Sequence, residues 1–155
     1  MDRGRRIDVF QTQSAEDTIS YGRALAARLK TGDVVCLFGD LGAGKTTLIK
    51  GIVGALTPTD PETVCSPTYA YLNIYAGPIP VFHFDLYRLE DSEAFLSLGF
   101  EEYLFGKGIC CIEWSERIES ILPSYTQRIT LEHAGEIKRI IKHEIPKSSL
   151  PDHCC

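Results

Sequence analysis

The sequence predicts an α/β fold with a mixed parallel and antiparallel central sheet and few helices. First, an apolar segment at 34–38 leads into a glycine-rich loop and then into a segment with helical spacing. Second, the continuous apolar run 109–112 is typical of a strand that is buried on both faces. Third, two pairs of β-rich segments are each joined by turn residues and are predicted to be β-hairpins. Parallel strands near the loop, joined to these hairpins, give the mixed sheet.

The N-terminal half of the chain is predicted to alternate between strands and helices. Its elements are a strand at 7–10, a helix from the N-cap Ser14 to Gly32, a strand at 34–38 and a helix at 47–56. Ser14 is followed three residues later by Asp17, which approximates a capping box and marks the start of the first helix. Gly32 is expected to end that helix, because glycine readily adopts the left-handed conformation that often follows helices.

The C-terminal half is predicted to contain both hairpins. Its elements are paired strands at 67–75 and 81–84, helices at 91–98 and 100–105, a strand at 109–112, a helix at 115–122, and paired strands at 127–133 and 136–144. Residues 76–80 contain glycine and two prolines and form the turn of the first hairpin, and Ala134-Gly135 forms that of the second. We expect one domain over residues 1–145 and a flexible tail at 146–155.

The glycine-rich loop matches the phosphate-binding pattern G-x-x-x-x-G-K-[ST]. Its residues are Gly39, Asp40, Leu41, Gly42, Ala43, Gly44, Lys45 and Thr46, with Thr47 directly after them. Backbone N–H groups of such a loop turn inward around phosphate oxygens, and the positive end of the following helix adds to the attraction. Lys45 is expected to reach the β- and γ-phosphates and the Thr46 hydroxyl to bind Mg²⁺. The sequence therefore predicts a three-layer fold of the P-loop NTPase type and a nucleoside triphosphate as ligand.

Two carboxylates are candidates to act beside this loop. Phosphate-loop enzymes use an acidic group near the end of a buried strand to hold Mg²⁺ or its waters, and Glu113 directly follows the apolar run 109–112. Strand alternation places His83 and Asp85 on one face. Asp85 is a candidate to orient or deprotonate an attacking water, or to bind a water of the metal. The alternative is an ordinary salt bridge with Arg88, which is itself a second candidate for contact with a phosphate.

Two further positions are candidates for a switch or a link to a partner. Ser66 and Thr68 lie where a polar loop enters a predicted strand. A hydroxyl there could contact the γ-phosphate or its Mg²⁺ when the loop is ordered, although a simple strand entry explains the pattern equally well. Trp114 is the only tryptophan and follows Glu113. Packing in the core or at an edge is its default role, and its position also suits a reporter of nucleotide or partner binding.

Composition and charge limit the classes of function. The 155 residues carry a formal net charge of −5, and their dispersed basic residues disfavour extensive autonomous binding of nucleic acid. No apolar stretch approaches the ~20 residues needed to cross a bilayer, and no signal-peptide core follows the basic N-terminus. We therefore expect a cytoplasmic protein with no membrane role. The six cysteines lack C-x-x-C or zinc-ligand spacing and are expected to be reduced thiols.

Taken in order, four segments resemble the bacterial TsaE (YjeE) family, the ATPases of the tRNA threonylcarbamoyladenosine modification pathway. The segments are 39–47, Ser-Pro-Thr-Tyr at 66–69, His-Phe-Asp-Leu-Tyr-Arg-Leu at 83–89 and Ile-Glu-Trp at 112–114. The resemblance runs from about residue 7 to residue 144. It is specific because the order and the spacing of all four segments agree.

This resemblance implies an ATP-binding protein that uses Mg²⁺ and hydrolyses ATP weakly on its own. It also implies work alongside the TsaB–TsaD pair, which transfers the threonylcarbamoyl group to the adenosine beside the tRNA anticodon, so that tRNA is reached indirectly through that complex. The positions that match functional residues of the family are Lys45, Thr46, Asp85, Glu113 and Trp114. The segment 66–68 corresponds to a switch-like region. Arg139 is our match for a basic residue of the last hairpin that comes near the nucleotide in this family.

Three other functions use the same loop. A small-molecule kinase is the main alternative, but such enzymes generally carry an arginine-bearing lid, and no arginine cluster lies between Arg88 and Arg117. A guanine-nucleotide switch normally needs an Asn-Lys-x-Asp motif, which is missing from the sequence. A structural subunit that binds nucleotide without hydrolysis would tolerate Asp85→Ala and Glu113→Ala but not Lys45→Ala.

Overall fold

A seven-stranded mixed sheet forms the centre of the computed structural model, which describes residues 4–67 and 69–146. The strands are β1 (Arg5–Thr12), β2 (Val34–Phe38), β3 (Leu72–Tyr75), β4 (Val81–Asp85), β5 (Ile109–Glu113), β6 (Gln127–His133) and β7 (Arg139–Pro146). The α-helices are α1 (Ala15–Ala26), α2 (Lys45–Leu56), α3 (Ser92–Ser97) and α4 (Glu101–Leu104). Short 3₁₀ helices cover Pro61–Thr63 and Ser115–Ile121.

The strand order is β1-β7-β6-β2-β5-β4-β3. Strand β2 pairs in parallel with both β5 and β6, and β4 pairs in parallel with β5. The pairs β1–β7, β6–β7 and β3–β4 are antiparallel. We call β2, β5 and β4 the parallel centre, and β6, β7 and β1 the antiparallel wing. The predicted mixed sheet with few helices is therefore confirmed.

Helical layers cover the two faces of the parallel centre. On one face, apolar residues of the sheet pack against α1 and α2, with Leu48, Ile49 and Ile52 fully buried. On the other face, Phe84 and Ile112 pack against α3, α4 and the 3₁₀ helix at 115–121. Every residue of β4 and β5 is buried. This burial on both sides explains why these strands are continuous apolar runs in the sequence.

Helices α1 and α2 approach each other closely at a pair of glycines. A Cβ atom at Gly51 would lie 2.0 Å from the Ile19 carbonyl oxygen, and one at Gly22 would lie 2.1 Å from the Leu48 carbonyl oxygen. Neither position can accept a side chain without separation of the two helices. The contact fixes α2, and with it the loop at the N-terminus of α2, against the rest of the layer.

The predicted start of α1 is confirmed, but its predicted end is wrong. The Ser14 side chain accepts a hydrogen bond from the backbone N–H of Asp17, as a capping residue does. The α-helix then ends at Ala26 rather than at Gly32. The chain tightens there, because Leu29 N–H bonds to the Ala26 carbonyl three residues earlier. Gly32, at φ 97°, lies in the turn that leads into β2.

Two predicted strands begin too early in the sequence. Strand β3 starts at Leu72 rather than at residue 67, because Tyr71 has a positive φ of 66° and its N–H closes a turn on the Pro67 carbonyl. Strand β7 starts at Arg139 rather than at residue 136, because Ala134 N–H bonds to the Lys138 carbonyl and leaves 135–137 in the hairpin turn. Both hairpins themselves are confirmed.

The described cysteines are free thiols, as predicted. Cys36, Cys110 and Cys111 are buried, and Cys65 is exposed. Burial raises the pKa of the Cys36 thiol to about 12, so this thiol stays protonated. Cys154 and Cys155, like the remainder of the predicted flexible tail beyond Pro146, lie outside the described residues. None of the helices in the described part of the chain has the length and apolar character to cross a bilayer.

Candidate functional site

The phosphate-loop sequence joins β2 to α2 at the carboxyl edge of the parallel centre. Its three glycines all have positive φ angles, at 148° for Gly39, 80° for Gly42 and 106° for Gly44. Side chains rarely adopt these angles, and a Cβ at Gly39 would also lie 2.6 Å from the Leu131 carbonyl oxygen. Gly44 is the N-cap of α2 and has no side chain with which to cap it. The first N–H groups of α2 are therefore available to an anion.

Lys45 is almost buried in this loop, with 7% of its surface exposed. Its Nζ donates a hydrogen bond of 2.8 Å to the Gly39 carbonyl and lies 4.8 Å from the centroid of the Trp114 ring. The ammonium group is held by one carbonyl dipole and one aromatic face. A phosphate oxygen would offer it a stronger, charge-assisted bond.

Glu113 is the last residue of β5 and lies beside the start of α2. The Thr46 hydroxyl donates a hydrogen bond of 3.4 Å to Glu113 Oε2, although the two residues are 67 positions apart in the sequence. Glu113 is 4% exposed. The structure therefore brings together the two residues that the sequence nominated as metal ligands.

His83 is a component of this group to which the sequence assigned no role. Its Nε2 lies 2.6 Å from Glu113 Oε2, and the side chain has no exposed surface. The sequence placed His83 on the face that also carries Asp85, and that placement agrees with the structure. What the sequence could not show was the pairing of β4 with β5, which aligns His83 with Cys111 and Asp85 with Glu113.

Asp85 ends β4 next to Glu113 and is 6% exposed. Its Oδ2 accepts a hydrogen bond from the Ser66 hydroxyl, and its Oδ1 accepts one of 3.1 Å from the Tyr87 backbone N–H. Arg88, the salt-bridge partner considered from the sequence, instead places its guanidinium 4.6 Å from the centroid of the Tyr69 ring. Ser66 thus connects the polar loop to Asp85. Its neighbour Thr68 lies outside the described residues.

Trp114 lies between Lys45 and Tyr87 and is half-buried. Its ring centroid is 5.0 Å from that of Tyr87. Its φ angle of 61° is unusual for a residue with a side chain. Such backbone strain is concentrated at functional sites, where the surrounding structure holds it in place. A change in the position of Lys45 would alter the surroundings of this indole ring.

Arg139 reaches the loop from the antiparallel wing. Its Nε donates a hydrogen bond of 3.0 Å to the Ala43 carbonyl, and a terminal nitrogen donates one of 3.3 Å to the Gly42 carbonyl. Arg139, which we matched to the basic residue of the last hairpin, therefore lies at the loop. In this structure its bonds are made to backbone carbonyls of the loop and of its own hairpin turn, at Gly135, Glu136 and Lys138.

Among the clefts that border the loop, two share Gly42, Gly44 and Thr47 in their lining. The first is lined by residues proposed for phosphate and metal, namely Lys45, Thr46, Ser66, Asp85, Glu113 and Trp114. The second is lined by Ala15, Thr18, Thr47, Glu136, Ile137 and Arg139. The first contains Lys45 and the carboxyl groups of Asp85 and Glu113. The second combines the charged residues Glu136 and Arg139 with hydroxyl groups and with apolar surface from Ala15 and Ile137. A ligand that carries an anionic tail and a planar, less polar body matches the two clefts taken together.

The Thr46 hydroxyl and the Glu113 carboxyl group suit a magnesium ion, which needs few protein ligands, better than a metal that is coordinated by protein side chains alone. Within 4–67 and 69–146, no three His, Cys, Asp or Glu side chains are grouped to hold a metal. Thr46 and Glu113 nonetheless present a hydroxyl and a carboxylate oxygen 3.4 Å apart. Mg²⁺ is typically held by one or two carboxylates, by substrate phosphates and by water. These residues fit such an ion once a phosphate is present.

Comparisons with known proteins agree with one another. Residues 12–141 match the family model described as threonylcarbamoyl adenosine biosynthesis protein TsaE. The chain is 42% identical over 130 residues to a tRNA threonylcarbamoyladenosine biosynthesis protein TsaE of Treponema pallidum, and the match covers 84% of this chain and 95% of that protein. It is 41% identical over 133 residues to the protein of the same name in Bacillus subtilis, with 85% and 82% covered.

A solved structure supports the same relationship. The crystal structure of Bacillus YdiB matches with a TM-score of 0.74 and 33% identity, and the match covers 91% of this chain and 86% of that one. The similarity therefore extends to the whole sheet and its helices.

Proposed function

Because the chain belongs to the TsaE family of tRNA threonylcarbamoyladenosine biosynthesis, we propose that it is a Mg²⁺-dependent ATP-binding protein and weak ATPase that supports a TsaB–TsaD-like complex. One observation carries this proposal. The glycine loop and Lys45 stand beside two buried carboxylates, and one of these, Glu113, already accepts a hydrogen bond from the Thr46 hydroxyl. A phosphate chain needs cations and amides on one side, and its metal needs hard oxygen ligands on the other.

The phosphates of ATP bind to the loop in this proposal. Free N–H groups at the start of α2 donate to the phosphate oxygens, and Lys45 exchanges its bond to the Gly39 carbonyl for one to a phosphate. The loop around the phosphates of ATP also includes Asp40, Leu41 and Thr47. The adenosine part lies in the second cleft, between Thr18 and Ile137, with Arg139 at the side of the loop.

Thr46 and Glu113 would hold Mg²⁺ in this arrangement. When bound, the ion neutralises charge that develops on the β- and γ-phosphates during transfer. The carboxyl group of Glu113 lies in a setting from which most water is excluded, since only 4% of the residue is exposed. Ionic contacts are stronger in such surroundings than at an open surface.

Asp85 positions the attacking water. Both of its carboxylate oxygens are held by hydrogen bonds, from Ser66 and from the Tyr87 backbone, so that its orientation is fixed. In hydrolysis the water oxygen bonds to the γ-phosphorus, the bond to the bridging oxygen breaks, ADP leaves, and the proton lost by the water passes to the released phosphate or to solvent. The contact between Ser66 and Asp85 links this step to the loop that contains Ser66, which we assign as the switch-like segment.

The charge of the chain suits a protein that acts through partners. With a net charge of −5 and a pI near 5.4, it lacks the strongly basic character of proteins that grip tRNA directly. We propose that tRNA contacts are made by the TsaB–TsaD-like complex, in the cytoplasm, and that this chain supplies nucleotide-dependent support.

The decisive experiment measures phosphate release from Mg·ATP by this chain, alone and with the TsaB–TsaD-like proteins of the same source. We expect slow release by the chain alone, an increase when the complex is added, and co-purification of the chain with the complex in the presence of ATP. Lys45→Ala should abolish the increase. Release that is unaffected by the complex, or transfer of phosphate to a metabolite faster than to water, would contradict the proposal.

A further inference from the structure

His83 is aligned with Cys111, two residues before Glu113 on the neighbouring strand, and has no exposed surface. It belongs to the middle of β4, two residues before Asp85, and its side chain points to the same face of the sheet as Glu113. Its ring cannot reach solvent, and within the described ranges its one hydrogen-bond partner is Glu113 Oε2. A side chain in this position cannot touch a nucleotide in the cleft. It can act only through Glu113.

Two contacts of different strength meet at the same carboxylate oxygen. The bond from Thr46 Oγ1 to Glu113 Oε2 measures 3.4 Å, near the limit for a hydrogen bond, whereas His83 Nε2 lies 2.6 Å from that oxygen. The longer contact is easily exchanged, and it faces the cleft. The shorter contact, from His83, is buried and fixes the Glu113 carboxyl group on the side away from the cleft.

The ring orientation indicates which nitrogen donates. His83 Nδ1 is buried without a hydrogen-bond partner among the described residues. A neutral ring with its proton on Nε2 donates to the Glu113 carboxylate and leaves Nδ1 as an unpaired acceptor. The other neutral tautomer would bury an unpaired N–H and place two acceptors against each other. We therefore assign Nε2–H as the donor and Glu113 Oε2 as the acceptor.

We propose that His83 is a positioning residue that holds the Glu113 carboxylate towards Thr46, and so in the orientation required for Mg²⁺. This inference rests on the function proposed above. With Mg·ATP bound, Thr46 and Glu113 would hold the ion, and the bond from His83 would keep the Glu113 carboxylate in place. A glutamate side chain has several rotatable bonds, and the buried donor removes the need to order them when the metal arrives. Loss of such outer partners typically weakens metal binding 10–100-fold.

The chain offers a closely matched control. His143 on β7 is also fully buried, its Nε2 lies 2.7 Å from Gln127 Oε1, and its Nδ1 has no partner in the described part of the molecule. The two histidines therefore share burial, a single hydrogen bond and an unpaired nitrogen. They differ in the partner, which is an amide for His143 and the proposed metal ligand for His83. A general effect of removing a buried histidine should appear in both.

The test measures ATP binding by titration calorimetry in Mg²⁺ and in EDTA, for the wild type and for His83→Leu, His83→Gln and His143→Leu. The ratio of the ATP affinity in Mg²⁺ to the ATP affinity in EDTA measures how strongly the metal promotes ATP binding. We expect His83→Leu to reduce this ratio 10–100-fold with little change in the EDTA affinity. His83→Gln should recover part of the ratio, because its amide can donate to Glu113. His143→Leu should lower thermal stability and leave the ratio unchanged.

The outcomes separate this inference from the proposed function. A wild-type ratio of one would refute metal-linked binding altogether, and with it the role of His83. A normal ratio in His83→Leu, alongside a ratio that is lost in Glu113→Gln, would overturn only the positioning role.

A measurement on the wild type covers the case in which the variants do not fold. With ¹⁵N-labelled histidine, the Nε2–H signal of His83 should stay protected from exchange before and after addition of Mg·ATP. Its disappearance on binding would contradict the proposal.

Discussion

The parallel centre and the antiparallel wing contribute to the site in different ways. Strands β2, β5 and β4 are almost entirely buried, and their carboxyl ends carry the loop, Glu113 and Asp85. Strand β1 of the wing leaves Ile7 and Val9 more than half exposed. The wing approaches the site through Arg139, which bonds to loop carbonyls. The centre thus carries the residues that we propose for the reaction, where parallel strands end at one edge, and Arg139 of the wing contacts the loop.

Acid should lower the stability of the protein through a residue of the wing, His143. Burial lowers the pKa of His143 on β7 from 6.5 to about 4. The unfolded chain takes up this proton below pH 6.5 and the folded protein only below about pH 4. The free energy of unfolding should therefore fall as the pH drops through this window, by up to about 3 kcal/mol.

Denaturant unfolding at pH 7.5 and pH 4.5 measures this effect. The difference between the two pH values should be smaller in His143→Gln than in the wild type, because the other titrating groups are shared. An equal pH dependence in both proteins would show that His143 does not titrate as described.

The centre should show the largest effect on ligand binding at Lys45. Lys45→Ala removes the only lysine of the loop and should weaken Mg·ATP binding roughly 100-fold, the size expected for a charge-assisted contact in a largely buried setting. Lys142→Ala on the wing removes an exposed partner of Glu132 and should leave affinity unchanged. Calorimetry on both variants measures the affinity for Mg·ATP. Comparable losses of affinity in the two variants would contradict the different roles that we assign to the centre and the wing.

Glu113→Gln should separate metal from nucleotide. The amide keeps the size of the side chain but loses the charge, so the gain in ATP affinity on addition of Mg²⁺ should fall at least tenfold. The affinity in EDTA should stay near that of the wild type. A magnesium titration identical to that of the wild type would exclude Glu113 as a metal ligand.

Arg139→Ala tests the support that the wing gives to the loop. Loss of the two bonds to Gly42 and Ala43 should loosen the loop and weaken ATP binding about tenfold. Arg139→Lys should not restore affinity, because an ammonium group cannot reproduce the planar fork of the guanidinium. Arg128 lies on β6 of the wing, and Arg128→Ala, which removes two hydrogen bonds to Glu119, is the matched control. A normal ATP affinity in Arg139→Ala would show that the wing does not contribute to ATP binding through Arg139.

The smallest expected effect lies outside both regions, at the start of α1. Ser14→Ala removes the cap of the Asp17 N–H and should lower the free energy of unfolding by about 1 kcal/mol. Chemical denaturation measures this loss, and ATP affinity should not change. An unaltered midpoint would mean that water replaces the cap without loss.

The parts of this account that the sequence predicted depend on local chemistry. The loop at 39–46 and the carboxylate after the run 109–112 are each recognisable within a few residues. The contact between Arg139 and Ala43 spans 96 positions and depends on where β7 begins, which the sequence misplaced by three residues. The bond from His83 to Glu113 likewise requires the register of β4 against β5. Pairing of distant strands is set by tertiary packing, which short-range patterns do not encode.

The most direct test of the central claim is a calorimetric titration of the folded wild-type chain with ATP in the presence of Mg²⁺. Since the loop, Lys45, Thr46 and Glu113 are proposed to form one site, we expect saturable binding of one ATP per chain that weakens when EDTA replaces Mg²⁺. Absence of heat and of saturation at millimolar ATP, in a protein that is shown to be folded, would contradict the account.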